Sequence, residues 1–269
     1  MDLESALAAS RMLCTEHLGE RLGRQLAELA RPGFGLWPAT AGRAATGRCR
    51  LGGPALLEPG VAWPEVDGLA LSLFAVLDMD ELASWAGDQA PVRAGVLNFF
   101  YLDLPHRFEL SDRRICTVVA ADPTRALEVA PPEPLTQLEV VSLHARGGVS
   151  VPSPYAEYSR LVWERLEPDD EVCEEFECDP SGFVAERFGE AWLQDPGRLR
   201  ADAQAFGWPL METSALKARP EDGDRHLLTL SSNHGSWSFP NGGSLMFFIP
   251  KPALREGDLS QVFTEPDAW

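Results

Sequence analysis

The sequence predicts a single-domain α+β protein in which two related antiparallel sheet units share one core. Three observations predict this class. Apolar runs typical of strands follow one another at intervals too short for the helix that connects parallel strands. Helical spacing is confined to the N-terminus and to one stretch in the middle of the chain. A strand pair of distinctive sequence occurs twice, at 71–101 and at 227–249.

The first predicted element is an N-terminal amphipathic helix, assigned to residues 1–33. Leucines recur there at three- and four-residue spacing, with a bend expected near Thr15. Pro32 and Gly33 are expected to end the helix. Because charged side chains lie off the apolar stripe, the stripe is interpreted as a packing face rather than a membrane anchor.

The first predicted sheet unit covers residues 34–145. Its opening stretch is rich in Gly and Pro, which excludes a long helix before residue 64. Four strands are then predicted, at 69–77, 95–103, 115–121 and 135–143. Tryptophans at turns are assigned by context: Trp63 and Trp208 to the core, and Trp85, Trp237 and Trp269 to interfaces.

A helical insert is predicted over residues 155–206, and it contains an acidic block at 167–180. Such a block is usually a solvated loop or helix flank. The alternative interpretation is a surface that binds a basic partner. Eight of its fourteen residues are acidic: Glu167, Asp169, Asp170, Glu171, Glu174, Glu175, Glu177 and Asp179.

The second predicted sheet unit covers residues 206–265, with strands at 226–232 and 243–251. The strand GSLMFFI repeats the pattern of GVLNFFY in the first unit, and each is preceded by a second apolar strand. Chance explains a repeated strand pair poorly, so we interpret it as an internal duplication. Two copies are too few for a solenoid, which favours one pseudo-symmetric domain, residues 1–269.

The charge balance limits the partners that are expected. The 269-residue chain has 23 basic and 41 acidic residues and a formal net charge of −18. Such a surface repels phosphate backbones and anionic lipids, so neither nucleic acid nor membrane is an expected partner. It attracts basic proteins over long range. The acidic N-terminus lacks the basic region of a signal peptide, which favours a cytoplasmic location.

No residue pattern predicts a catalytic, metal or cofactor site. The five cysteines are odd in number and scattered, and are interpreted as reduced thiols. The five histidines have no metal-ligand spacing, and no nucleotide-binding or hydrolase motif occurs. We therefore expect no cofactor and no metal, and the sequence leaves enzymatic activity undecided.

One candidate groove follows from the duplication. Ser231 and the loop after it should be equivalent to Asp78 and the loop that follows that residue. A serine, a histidine and Asp78 could form a nucleophilic triad, although a polar hairpin connection would have the same composition. The residues assigned to this groove are Trp63, Asp78, Ser231, Asn233, His234 and Trp237.

An ordered set of short motifs carries a resemblance to a known family. The motifs are RLGGPALLEPG (50–60), Trp63-Pro64, LFAVLDMDEL (73–82), GVLNFFYLD (95–103), FGWP (206–209), LLTLSSN (227–233), Trp237 and GSLMFFIP (243–250). In this order they resemble the YwqG-like family, a bacterial family of unknown function. The resemblance implies an α+β fold with an internal repeat and no established reaction.

The chain departs from the family pattern at several polar positions. Val76 and Thr229 stand where the family has glutamines, and the acid retained at Asp78 is replaced by Ser231 in the second copy. Asn233 replaces another acid. If these groups form a polar site in relatives, this chain has lost much of it.

The leading expectation is a non-enzymatic acidic protein that binds a basic protein partner. The family's resemblance to genes of bacterial conflict systems implies, by analogy, an immunity-type role against a basic toxin. The alternative is an enzyme or small-ligand sensor that uses the groove between the two repeat loops.

Overall fold

The computed structural model describes residues 1–92, 95–102, 112–195, 197–199, 203–209, 218–220, 222–231 and 243–267. The described helices are α1 Leu3–Leu18, α2 Glu20–Glu28, α3 Met79–Ala86, α4 Glu157–Trp163, α5 Cys173–Cys178, α6 Pro180–Val184, α7 Glu190–Gln194 and α8 Lys251–Glu256. The described strands are β1 Arg31–Pro38, β2 Arg50–Leu51, β3 Ala55–Leu57, β4 Glu65–Val66, β5 Leu69–Ala70, β6 Ser72–Asp78, β7 Val96–Tyr101, β8 Cys116–Ala121, β9 Leu127–Val129, β10 Val141–Ser150, β11 Ala203–Phe206, β12 Asp224–Ser231, β13 Ser244–Pro250 and β14 Phe263–Asp267.

One antiparallel sheet of ten strands organises the molecule, and its order is symmetric. The order β14-β13-β12-β11-β1-β10-β2-β6-β7-β8 places β1 and β10 at the centre, with matching strands at equal distances on either side. Two further pairs, β3-β9 and β4-β5, form small separate sheets. The α+β class and the single domain predicted from the sequence are confirmed.

The strand registers confirm the duplication residue by residue. In the first unit β6 pairs with β7 and its register shifts between Leu73 and Ala75. In the second unit β12 pairs with β13 and its register shifts between His226 and Leu228. Both copies therefore have a bulge at the same place. Counting from the bulge makes Ser72, Leu73, Val76 and Asp78 equivalent to Arg225, His226, Thr229 and Ser231.

The two units interlock at the centre of the sheet. Strand β1, which comes first in the chain, pairs with β10 along eight residues and with β11 of the second unit along four. Strand β10, which opens the second half, pairs in turn with β2 of the first unit. Each half therefore contributes its first strand to the other half.

The N-terminal helix differs from its prediction. It consists of two helices separated at Gly19, where φ is +87°, instead of one helix bent near Thr15. The helical part ends at Glu28, and Pro32 and Gly33 lie within β1 instead of ending a helix. A glycine tolerates the positive φ that the break requires, which explains why the break falls there.

Two apolar clusters fill the faces of the sheet. The first lies between the strands of both units, where the Phe99 and Phe247 rings meet edge to face at 5.2 Å. The outer strands approach each other there, since the Cys116 thiol lies 3.7 Å from the Val262 carbonyl oxygen. The second cluster packs α1, α2 and the helices of the insert against the other face. No helix in the described part of the chain is long and apolar enough to cross a bilayer.

The five cysteines are free thiols, as the sequence indicated. Cys14, Cys49 and Cys116 are buried, and burial raises the pKa of each thiol to about 12. These three side chains are therefore uncharged packing residues at neutral pH.

A left-handed turn follows β11 and is held by buried polar side chains. Phe206 and Gly207 have φ of +61° and +78°. Gly52 and Gly53, at the equivalent place in the first unit, have φ of +58° and +82°. A phenylalanine is rarely found in this region of backbone space. The Phe206 carbonyl oxygen accepts hydrogen bonds from Gln204 Nε2 at 2.6 Å and from His226 Nδ1 at 3.2 Å. These two bonds hold the turn in its left-handed conformation.

Hydrogen bonds and ring stacking hold the chain after this turn as well. Trp208 N donates to Ser150 Oγ at 2.7 Å, and Trp208 Nε1 donates to the Leu29 carbonyl oxygen at 2.6 Å. The Trp208 ring stacks on Tyr158 at 5.9 Å between ring centroids. Its burial confirms the prediction that Trp208 belongs to the core.

Acid should weaken the fold through His226. Its side chain is fully buried, and burial lowers its pKa from the ordinary 6.5 to about 4. The unfolded chain therefore binds a proton first as pH falls, so stability is unaffected by this group above pH 6.5 and decreases between pH 6.5 and pH 4. We expect the loss to reach about 3 kcal/mol.

Urea unfolding of the wild type and of His226→Gln at pH 7 and pH 4.5 measures this effect. The carboxylates of the protein also respond to acid, but they are common to both proteins. The wild type should lose more stability than the variant over this interval. Equal losses would show that His226 does not control the acid response.

Candidate functional site

Asp78, the central residue of the predicted groove, serves as a helix cap. It ends β6, and its side chain accepts a hydrogen bond from the Glu81 backbone N–H at the start of α3 at 3.4 Å. Its carboxylate also accepts from the Arg48 backbone N–H at 3.0 Å and lies 3.4 Å from the Arg48 guanidinium. Only 2 % of Asp78 is exposed. These contacts use the carboxylate to begin a helix and to fix the preceding loop.

The structure does not bring Asp78 and Ser231 together. Each ends its strand at the equivalent position, but β6 and β12 are five places apart in a sheet whose neighbours are all antiparallel. An odd number of steps makes the two strands run in opposite directions, so the loops after them leave opposite ends of the sheet. Asn233, His234 and Trp237 lie outside the described residues.

Trp63 is a packing residue of the first unit. Its ring meets Phe100 edge to face at 5.2 Å between centroids, and Nε1 donates to the Leu71 carbonyl oxygen at 2.8 Å. The half-buried side chain packs against the first apolar cluster, which agrees with the core role expected for it. Trp85, assigned to an interface, instead lies over Gly147 and Phe34 and donates to the Met1 carbonyl oxygen at 3.0 Å.

The acidic surface is formed by the eight carboxylates of the block 167–180. It runs along a loop, one 3₁₀ turn at Asp170–Val172 and helix α5. The members that hold local structure make these contacts: Glu167 pairs with Arg21, Asp169 accepts from the Arg21 backbone N–H at 3.1 Å, Glu175 pairs with Arg187 at 2.7 Å, and Asp179 accepts from Gly182 N at 2.9 Å to cap α6.

The other four carboxylates of the acidic surface point outward. Asp170, Glu171 and Glu174 are exposed and form no ion pair with any other residue that the structure describes. Glu177 accepts a hydrogen bond from the Cys173 thiol at 3.2 Å, and this contact raises the pKa of that thiol. Three negative charges thus remain available to a partner.

A cleft of about 380 Å³ lies beside these carboxylates, between α2 and the insert. Carboxylates of Glu164, Glu167, Asp170 and Glu177 line it, and Arg21 is the one cation among its described lining residues. Other lining residues are apolar: Leu166, Pro168, Phe176 and Pro180. Acidic walls around an apolar interior suit a lysine or arginine side chain, whose stem is apolar and whose end is charged.

The acidic block was visible in the sequence, but the cleft was not. Arg21 belongs to the N-terminal helices and reaches the block over 146 positions of chain. In the sequence, Leu166 and Phe176 look like ordinary packing residues. Only the docking of α2 against the insert turns the solvated block into one wall of a cleft.

Comparison of the sequence with known proteins identifies its family. A family model described as a domain of unknown function (DUF1963) matches residues 49–267, which include the insert and every strand of the ten-stranded sheet except β1. None of the curated proteins matches the chain significantly. Since the match covers most of the sequence, the chain belongs to the DUF1963 family of proteins of unknown function.

Proposed function

We propose that this protein is a non-enzymatic binding protein whose acidic surface engages a basic protein. The observation that supports the proposal is the set of exposed carboxylates at Asp170, Glu171 and Glu174 beside the acidic cleft, which form no ion pair with any described residue. A lysine or arginine of the partner would enter the cleft while these charges meet a basic patch around it. The formal net charge of −18 adds long-range attraction.

The finer parts of the proposal rest on the YwqG-like motifs. They favour a bacterial protein with an immunity-type role against a basic toxin, and we propose that it acts in the cytoplasm. Tight and rapid neutralisation of a toxin needs fast association, which is the property that clustered opposite charges improve most.

Binding of a basic probe should depend on the unpaired carboxylates. The triple variant Asp170→Asn, Glu171→Gln, Glu174→Gln should bind a fluorescent Arg- and Lys-rich peptide with an association rate about tenfold lower at low salt. Its rate should also depend less on salt concentration, because fewer charges are screened. Stopped-flow fluorescence over a salt series measures both quantities.

A matched control separates this surface from net charge. Glu65→Gln, Glu128→Gln and Glu133→Gln remove three exposed carboxylates from the first sheet unit. The control should keep most of the wild-type rate. Equal decreases in the two triple variants would leave the acidic surface without a special role.

The positions of Asp78 and Ser231 do not favour the alternative expectation, a substrate or ligand between the loops that follow these residues. These residues lie at opposite ends of the sheet, and Asp78 is used as a cap. Small-ligand binding is favoured instead at a different cavity, which the described groove residues Trp63, Asp78 and Ser231 do not line.

A further inference from the structure

A cavity of about 400 Å³ opens beside the left-handed turn at Phe206 and Gly207, and its charge is opposite to that of the protein. Four cationic side chains line it: Arg31, Arg225, Lys251 and Arg255. No aspartate or glutamate is among its described lining residues. Such a concentration of positive charge is unexpected in a chain with 23 basic and 41 acidic residues.

The cations come from three separate elements. Arg31 begins β1, with its guanidinium carbon 3.4 Å above the centre of the Trp208 ring and Nη2 donating to the Pro220 carbonyl oxygen at 2.9 Å. Arg225 lies on β12. Lys251 and Arg255 lie four residues apart on α8, a spacing at which like charges repel in a helix.

The closeness of these cations lowers the pKa of two of them. Arg225 and Arg255, followed by Arg31, lower the pKa of Lys251. Burial lowers the pKa of Arg225, and Arg255 lowers it further, against the opposing effect of Asp224. Among the described residues, neither Arg225 nor Lys251 nor Arg255 forms an ion pair. Unbalanced charge of this kind costs stability, and a bound anion would remove the cost.

The fold itself does not require these charges. The duplication supplies an internal comparison, because the first unit has Ser72 and Leu73 where the second has Arg225 and His226. Both units form the same strand pair with the same bulge. The charge of Arg225 is therefore not a consequence of building the sheet.

The rest of the lining is largely apolar. Phe206, Pro32, Pro91 and Leu254 line the cavity, and the buried His226 is uncharged at neutral pH, because its pKa is lowered to about 4. Its Nδ1 donates a hydrogen bond to the Phe206 carbonyl oxygen. The apolar wall of the cavity can therefore contact the organic part of a ligand, while its cations bind an anionic part.

We propose that this cavity binds a small phosphate ester or pyrophosphate, held by Arg225, Lys251 and Arg255. Guanidinium groups bind phosphate oxygens through two parallel hydrogen bonds, and a lysine adds a point charge. A volume of about 400 Å³ is in the range of small-ligand sites. The site is separate from the acidic surface, so the protein would carry one face for a basic partner and one cavity for an anion.

Isothermal titration calorimetry with pyrophosphate tests the proposal, together with the shift in melting temperature that pyrophosphate produces. We expect saturable binding and a rise in melting temperature with ligand concentration. Arg225→Ser, which introduces the residue of the first unit, should weaken Kd by about tenfold. The double variant Lys251→Gln, Arg255→Gln changes partly or fully exposed positions and should weaken Kd at least as much, which keeps the test decisive if Arg225→Ser misfolds.

The control is Arg160→Gln, which removes one positive charge from an exposed position on α4 and should leave Kd unchanged. Vesicles of phosphatidylcholine with phosphatidic acid form a second arm. Binding of pyrophosphate that the cavity variants weaken supports a free phosphate ligand, and binding of vesicles alone that they weaken supports a lipid phosphate. Absence of binding in both arms, or equal weakening in Arg160→Gln, would overturn the proposal.

Discussion

Deleting residues 1–48 is expected to abolish cooperative folding, although the match to the DUF1963 family begins only at residue 49. The deletion removes β1, which lies at the centre of the ten-stranded sheet. Without it, β10 and β11 each lose a hydrogen-bonded neighbour, and the order of the sheet is broken between the two units. Each remaining half would expose an unpaired central edge.

The same deletion uncovers the second apolar cluster. Helices α1 and α2 bury Cys14, Leu18, Leu22 and Leu26 against the sheet and the insert. Each buried leucine contributes about 2 kcal/mol. Three leucines together contribute about 6 kcal/mol, a substantial part of the stability of an ordinary domain, which is about 5–15 kcal/mol.

Urea unfolding followed by circular dichroism distinguishes the roles of the strand and the helices. The variant lacking residues 1–48 should show no cooperative transition. A variant lacking only residues 1–30 retains β1 and should keep a cooperative but weaker transition with strand signal. A native-like transition in the shorter protein would mean that β1 is dispensable and that the family match marks an autonomous domain.

The duplicated part of the fold could be predicted because its signal is local. Two apolar strands and the repeated Gly-x-Leu-x-Phe-Phe pattern lie close together in each copy. Asp78 also had a local signal that points to its actual role. Its spacing to Glu81 is that of a helix-capping pair. The groove was therefore predicted at a residue whose sequence context indicated the start of a helix.

The central strand could not be predicted, because its sequence is typical of a turn. The segment RPGFGLWP is rich in Gly and Pro. Gly33 serves close packing instead of turning, because a Cβ on it would lie 2.8 Å from the Phe206 carbonyl oxygen and 2.8 Å from the Leu199 side chain. Only contacts with residues more than 150 positions away reveal this use.

The cationic cavity was missed for the same physical reason. Arg31, Arg225 and the pair Lys251 and Arg255 are far apart in sequence and meet only when the sheet forms. The four-residue spacing of Lys251 and Arg255 is the one local signal, and alone it is typical of a solvated helix face. A site assembled from three elements is therefore visible only in the fold.

Asn98 is the buried polar residue that ties a short strand to the first unit. None of its surface is exposed. Its Oδ1 accepts from the Leu56 backbone N–H at 2.8 Å, and its Nδ2 donates to the carbonyl oxygens of Leu56 at 2.8 Å and Val119 at 3.0 Å. One side chain thus satisfies both backbone groups of Leu56, which lies on β3.

Replacing Asn98 by leucine should cost about 4 kcal/mol, because it leaves the buried N–H and C=O of Leu56 without partners. The duplication supplies the control, since Met246 occupies the equivalent position in the second unit and is equally buried. Met246→Leu conserves volume and polarity and should cost less than about 1.5 kcal/mol. Urea unfolding of both variants gives the comparison. Similar losses would mean that the cost of Asn98→Leu comes from altered packing; a large difference would assign it to the two backbone groups of Leu56.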